Sequence, residues 1–131
     1  MAYTGAVYRW DIFWADLEPG VGSEQKGERR PVIVVSNDGF NAAFSVVTIV
    51  SATKAEGKKR RVYPFEVLLP AGAITTVHKS IVMPHQVRTI SKTRLLERIG
   101  VLDGESFREQ IENRLLEHLG IAFEEESLDE I

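Results

Sequence analysis

A chain of 131 residues, 44% hydrophobic and 27% charged, is long enough to bury one modest core and too short for two. It has no cysteine, which excludes a disulfide framework and a thiolate zinc site, and its three histidines, His78, His85 and His118, stand too far apart in sequence to suggest a metal cage. The net charge of -3 does not exclude a polyanionic partner: residues 1–100 carry 14 Lys and Arg against 9 acids, net +5, and residues 101–131 carry 2 against 10, net -8.

The apolar runs are only a few residues long, and "MAYTGAVYRWD" has no basic segment leading into an apolar stretch. Neither a signal peptide nor a membrane span is therefore expected, and the chain is read as cytoplasmic. In "RWDIFWADL" the alternation puts Trp10, Ile12 and Trp14 on one side and Asp11, Phe13 and Ala15 on the other, predicting an opening strand that is apolar on both faces. The glycines and Pro19 of "EPGVGSEQKGERR" predict a long polar loop. "RPVIVVS" follows as a β-branched strand closed by the turn signals Asn37, Asp38 and Gly39, and "FSVVTIVSAT" is a second such run. "RVYPFEVLLP" is a third, which Pro64 assigns to an edge or a bulge. "SIVMPHQVRTI" reads as one or two strands broken near Pro84, and "LERIGVL" as a short last one.

The period then changes. Phe107, Ile111, Leu115 and Leu119 recur every four residues, predicting an amphipathic helix over 103–119, capped by Asp103 and ended by Gly120, with Leu116 off the main stripe. Short strands followed by one helix predict a mainly β fold with a C-terminal helix, a small antiparallel barrel. A single domain is expected over 1–122, with "EEESLDEI" closing the acidic segment 123–131 as a solvated tail.

The segments "DIFWADLEPGVGSEQKGERRPVIVVSND", "VTIVSATK" and "QVRTISKTRLLERIGVL", in that order, resemble the MazF/PemK type of toxin endoribonuclease over roughly residues 9 to 117. The first carries a GSEQ-x-G-x-R-P signature, far more specific than a lone glycine pattern. The resemblance implies an SH3-like, CcdB/PemK-like barrel that forms a homodimer and cuts single-stranded RNA at short sequences without a metal or other cofactor. The RNA's own 2′-hydroxyl would attack the adjacent phosphate, giving a 2′,3′-cyclic phosphate and a 5′-hydroxyl. It implies Arg30 as the catalytic arginine and Thr53 as the catalytic threonine, with Ser23, Glu24 and Gln25 beside them. It also implies a cognate antitoxin whose extended acidic segment fills the RNA channel.

Residue chemistry agrees in part. In-line transesterification gathers negative charge on the phosphorane oxygens, and Arg30, where a loop enters a strand beside Pro31, is a permanently charged planar donor. The Thr53 hydroxyl can donate to a non-bridging oxygen. Glu24 is the nearest loop carboxylate for the 2′-hydroxyl proton, unless it pairs with Lys26 instead. Arg29, extended to the opposite side, is read as RNA-contacting or solvated. Two departures stand out. Lys54 in "SATKAE" adds a charge beside the site, and His85 occupies a position where relatives often carry an acid, so that it either takes over proton transfer or serves as a stacked or solvated residue. The basic loop with Lys54, Lys58, Lys59, Arg60 and Arg61 is read as contacting RNA phosphates. Two alternatives remain on the same fold: a non-catalytic poison of DNA gyrase, and an RNA-binding module without the chemistry.

Overall fold

The computed structural model describes residues 2–55, 61–74 and 78–124. The elements run β1 (Asp11–Ala15), β2 (Arg30–Val34), α1 (Asp38–Ala43), β3 (Val46–Lys54), β4 (Val67–Leu69), β5 (Ser80–Ser91), β6 (Leu95–Val101) and α2 (Glu105–His118). The strands form one antiparallel sheet in the order β4-β5-β3-β2-β1-β6. The mainly β architecture with a C-terminal helix is thus as the residue pattern predicts. Among the described residues no helix is long and apolar enough to cross a membrane.

The double-faced alternation of the opening strand organises the core. Trp10 and Ile12 join Ile33, Val50, Ala52, Val82 and Leu102 under α2, whose Phe107, Ile111 and Leu115 close that cluster. Phe13 and Ala15 turn the other way, onto Val32, Val34, Val47, Ile49, Ile90 and Leu95. No α2 residue joins the second cluster, yet Phe13, Val32, Val34 and Ile49 are fully buried in it. The sheet curls around these side chains, as in a small barrel. Ile111 is the one fully buried residue of α2. Truncating it, Ile111→Ala, is expected to cost about 3 kcal/mol of unfolding free energy in urea, from lost transfer energy plus the cavity left between helix and sheet. A loss under about 1 kcal/mol would mean that the helix does not anchor the core.

Several local expectations are corrected. The turn signals Asn37–Gly39 instead begin α1, because the Asn37 Oδ1 accepts the Phe40 N–H at 2.8 Å and caps a helix. Of "RVYPFEVLLP" only Val67–Leu69 pairs, as the edge strand β4. "SIVMPHQVRTI" is neither split nor stopped at Pro84. It lies within the single strand β5, and its pairing with β3 jumps from Ile49↔Arg88 to Ser51↔Met83. Pro84 sits in that bulge, where its missing N–H breaks no regular ladder bond. At the final helix Asp103 is not the cap: Gly104 holds that position, at φ +100° and with no side-chain cap bond. Gly120 does end the helix, at φ +72°. Its N–H donates to the Glu117 carbonyl at 3.1 Å and the Ile121 N–H to the Leu116 carbonyl at 2.9 Å, a Schellman closure. Leu119, assigned to the apolar stripe, is instead 61% exposed.

Candidate active site

Two strands bring Arg30 and Thr53 together. Arg30 opens β2 opposite Ala15, and Thr53 lies near the end of β3, opposite Ile81. Pairing of Val32 with Ser51 sets the two on the same face at the end of the sheet. The Arg30 Nη2 donates to the Thr53 Oγ1 at 3.3 Å and to the Gln25 Oε1 at 3.0 Å. Thr53 is 5% exposed, whereas Arg30 is half-buried and its Nε has no hydrogen-bond partner among the described residues. A guanidinium with a neutral amide and a hydroxyl for neighbours keeps its full charge for an anion.

The loop between β1 and β2 is fixed at several points. Arg94 Nη1 donates to the carbonyls of Asp16 and Glu18, and the Leu17 N–H to the Gly27 carbonyl at 2.8 Å. Gln86, on the bulged stretch of β5, holds the tip. Its Nε2 donates to the Ser23 carbonyl at 3.1 Å and its Oε1 accepts the Gln25 N–H at 3.3 Å. The loop amide that orients Arg30 is thereby oriented in turn by β5.

The Arg30 cluster lines one cavity and is linked through Gln25 and Gln86 to another. The linked one, of about 310 Å³, is lined by Glu24, His85, Gln86, Val87 and Arg88. Glu24 and His85 therefore line one cavity, of which Arg30 is not a wall: the Glu24 carboxylate accepts the Val21 N–H at 3.2 Å and forms no ion pair with Arg30 or Lys26 among the described residues, Lys26 donating instead to the Gly22 carbonyl. Glu24 is linked to Arg30 through its neighbour Gln25, which Gln86 holds in place. His85 abuts the edge of Phe65 at 4.6 Å, and Phe65 stacks on Tyr63 at 5.3 Å with Arg61 over the Tyr63 ring.

The second cavity, of about 180 Å³, touches Arg30 and Thr53 and is walled by Trp14, Arg29, Lys54, His78 and Ser80. Arg29 lies over the Trp14 ring at 4.9 Å and pairs with Glu97 at 2.9 Å, on the side away from the Arg30 guanidinium as the alternation predicts. Lys58, Lys59 and Arg60 lie outside the described residues. Among the described residues no three His, Asp or Glu side chains gather in a metal-holding group.

Four residues of this neighbourhood escape sequence reasoning. Gln86 and Ser80 are ordinary strand polar residues until the register is known. Arg88 lies in "QVRT" and His78 precedes β5, but nothing in their spacing ties them to Glu24 or to Lys54. Arg88 repays notice because its guanidinium makes no hydrogen bond or ion pair among the described residues and its Nη1 is buried.

Residues 8–119 match the family of PemK-like, MazF-like toxins of type II toxin-antitoxin systems. The chain is 42% identical over 99 residues to the endoribonuclease EndoA of Bacillus subtilis, covering 76% of this chain and 83% of that protein. It is 35% identical over 94 residues to the endoribonuclease MazF6 of Mycobacterium tuberculosis, covering 72% and 81%. The fold is that of MazF from Deinococcus radiodurans, with a TM-score of 0.73 at 23% identity over 90% of this chain and 100% of that one. It is likewise that of a mycobacterial endoribonuclease solved in complex with its cognate antitoxin, with a TM-score of 0.69 at 20% identity over 92% of this chain and all of the other.

Proposed function

The chain belongs to the PemK-like, MazF-like toxins of type II toxin-antitoxin systems and is an endoribonuclease, and from that premise we propose that it cuts single-stranded RNA at short sequences by metal-independent transesterification. The observation that carries this reading is the Arg30 guanidinium, turned by Gln25 onto the buried Thr53 hydroxyl in the wall of a cavity of about 180 Å³. In the proposed reaction the 2′-oxygen bonds to the adjacent phosphorus and the bond from phosphorus to the 5′-oxygen breaks. The products are a 2′,3′-cyclic phosphate and a 5′-hydroxyl. Arg30 and Thr53 donate to the non-bridging oxygens as charge builds there, supplying from the protein the positive charge that a cation supplies in other nucleases.

Two protons must move, one off the 2′-hydroxyl and one onto the 5′-oxygen. Glu24 and His85 share the adjoining cavity, and we assign them this exchange, the carboxylate accepting and the imidazole delivering. Ser23, Gln25, Arg29, Lys54 and Arg61 are proposed RNA contacts, as are Lys58, Lys59 and Arg60 in the basic loop. The stacked Tyr63 and Phe65 offer flat faces to unpaired bases. Residues 1–122 are proposed to act as one domain in the cytoplasm, followed by the acidic tail 123–131.

Partners follow the same chemistry. As with the mycobacterial endoribonuclease solved with its antitoxin, we propose that an acidic antitoxin segment occupies the cationic surface that otherwise receives RNA. The exposed Leu119 and Ile121 give the end of α2 apolar surface to bury in a homodimer.

The test is incubation of the protein with a long unstructured RNA in excess EDTA, followed by mapping of the new 5′ ends. Cleavage is expected to persist, at a short recurring sequence. The downstream fragments should carry 5′-hydroxyls, and the upstream ones cyclic phosphates. Intact RNA, or ends bearing 5′-phosphate, would sink the reading.

A further inference from the structure

We infer that Arg88 is a further catalytic residue, a second guanidinium that donates to the scissile phosphate from the side of the Glu24 and His85 cavity. The inference rests on the RNA-cleavage reading above and adds to it a residue that reading leaves unused.

Register puts the two arginines on one side of the sheet. Ile49 pairs with Val34 and with Arg88, and Val32 pairs with Ser51. Paired residues in an antiparallel ladder share a face, as do alternate residues along a strand. Arg88, Ser51, Thr53 and Arg30 therefore all project to the side on which Val32, Val34 and Ile49 pack with Phe13. Arg88 extends from β5 and Arg30 from β2, on either side of β3. Their backbones lie about four residues and two strand spacings apart, roughly 16 Å. Two long side chains reaching inward across that gap leave room for one phosphate between their guanidinium groups.

Arg88 is positioned but not paired. It closes the β5 bulge, where pairing with β3 jumps from Ile49↔Arg88 to Ser51↔Met83, a distortion that re-aims side chains. Its Nη1 is buried without a hydrogen-bond partner among the described residues. Glu24 lines the same cavity of about 310 Å³, yet the two opposite charges form no ion pair, and the Glu24 carboxylate accepts the Val21 N–H instead. A buried guanidinium nitrogen without an acceptor costs stability, and native proteins keep few such groups. A phosphate oxygen is the acceptor that its planar fork suits.

The proposed reaction needs a cation at this place. Glu24 and His85 exchange the two protons in this cavity, so the scissile phosphate must approach a carboxylate, and like charges repel. Arg88 offsets that repulsion. It donates to the phosphorane oxygen turned towards β5 and keeps its own protons throughout, while Arg30 and Thr53 donate to the oxygen turned towards β2.

The test measures single-turnover cleavage in EDTA of an oligonucleotide with one cleavage site, made with oxygen or with sulfur in either non-bridging position of that linkage. Arg88→Met, which keeps most of the side chain's length and drops its charge, is expected to slow cleavage of the oxygen substrate about a hundredfold. Its urea unfolding midpoint should equal or exceed the parent's, because a buried donor without an acceptor is removed. Affinity for the same oligonucleotide with a 2′-deoxy sugar at the cleaved position should fall far less than the rate. Sulfur is a poor acceptor and should slow the parent protein in both positions. It should slow Arg88→Met in one position only, since the other oxygen has already lost its donor. Arg88→Lys should recover part of the rate. An unchanged rate in Arg88→Met would overturn the inference, as would sulfur effects that match the parent's. So would equal losses of rate and affinity, the mark of a general backbone contact, or a lowered midpoint with no recovery in Arg88→Lys, the mark of a structural role. The two readings fail separately. No cleavage by the parent removes the reaction itself, whereas cleavage by the parent and by Arg88→Met at one rate removes Arg88 alone.

Discussion

Arg30→Ala is expected to slow single-turnover RNA cleavage by about a thousandfold, the upper range for removing one preorganised donor from a developing oxyanion. The size follows from how the side chain is held. Val32 to Val34 are fully buried in β2, so the strand that carries Arg30 cannot shift, while Gln25 and Thr53 fix its Nη2 from two directions. Little reorganisation remains for the moment of reaction. Arg30→Lys should rescue little of the rate, because a single ammonium cannot reach Thr53 and a phosphate oxygen with the spread of a planar fork. The measurement is the rate with protein in excess over a labelled oligonucleotide, in EDTA, alongside urea unfolding. Stability should change by less than about 1 kcal/mol, since Arg30 is only half-buried and lies at a strand end. A rate loss below tenfold with the fold intact would remove Arg30 from the chemistry.

Much of this framework is legible in the residue pattern, and the exceptions have physical causes. β1, β2 and β3 are readable because β-branched and aromatic runs end at Gly, Pro or Asn clusters, and because burial on both faces leaves few polar interruptions. β5 misleads because proline counts as a breaker locally, whereas the sheet supplies a bulge that needs no N–H at Pro84. α1 misleads because Asn-Asp-Gly is equally good as a turn and as a helix start, and only the Asn37 cap bond decides. The helix stripe fails at Leu119 because the Schellman closure lifts the chain away from the sheet one turn early.

The site divides along the same line. Arg30, Thr53 and the loop residues are marked by a signature, but their contacts depend on registers between strands far apart in sequence. Glu24 illustrates the limit. Its neighbour Gln25, not Glu24 itself, reaches Arg30, because the loop tip is turned by Gln86 and the Glu24 carboxylate is engaged by the Val21 amide. Amide-to-amide contacts of this kind have no periodicity and no charge, so neither pattern nor composition announces them.

Gly27→Ala, a change of one methyl group in a loop, should reduce cleavage about a hundredfold. Gly27 has φ +130°, a conformation that L-residues rarely adopt, so an alanine there is strained by roughly 1–3 kcal/mol even in empty space. The space is not empty. A Cβ would lie 2.8 Å from the Arg30 Cδ and 3.0 Å from its Cγ, so the arm of the arginine crosses the place where the methyl must go. Either the loop relaxes, stretching the bond from the Leu17 N–H to the Gly27 carbonyl, or Arg30 swings off Gln25 and Thr53. Both routes misaim the guanidinium, and a displacement of about 1 Å is enough for a loss of this size. The effect should fall on kcat and leave RNA affinity within a few fold, because the charge remains near the strand while its geometry is lost. Gly22→Ala is the control: φ is +59° there, and no atom lies within 4 Å of the added Cβ. It carries backbone strain without the collision, and its cleavage rate should fall far less. Equal losses from the two substitutions would show that loop strain alone, not contact with Arg30, makes Gly27 matter.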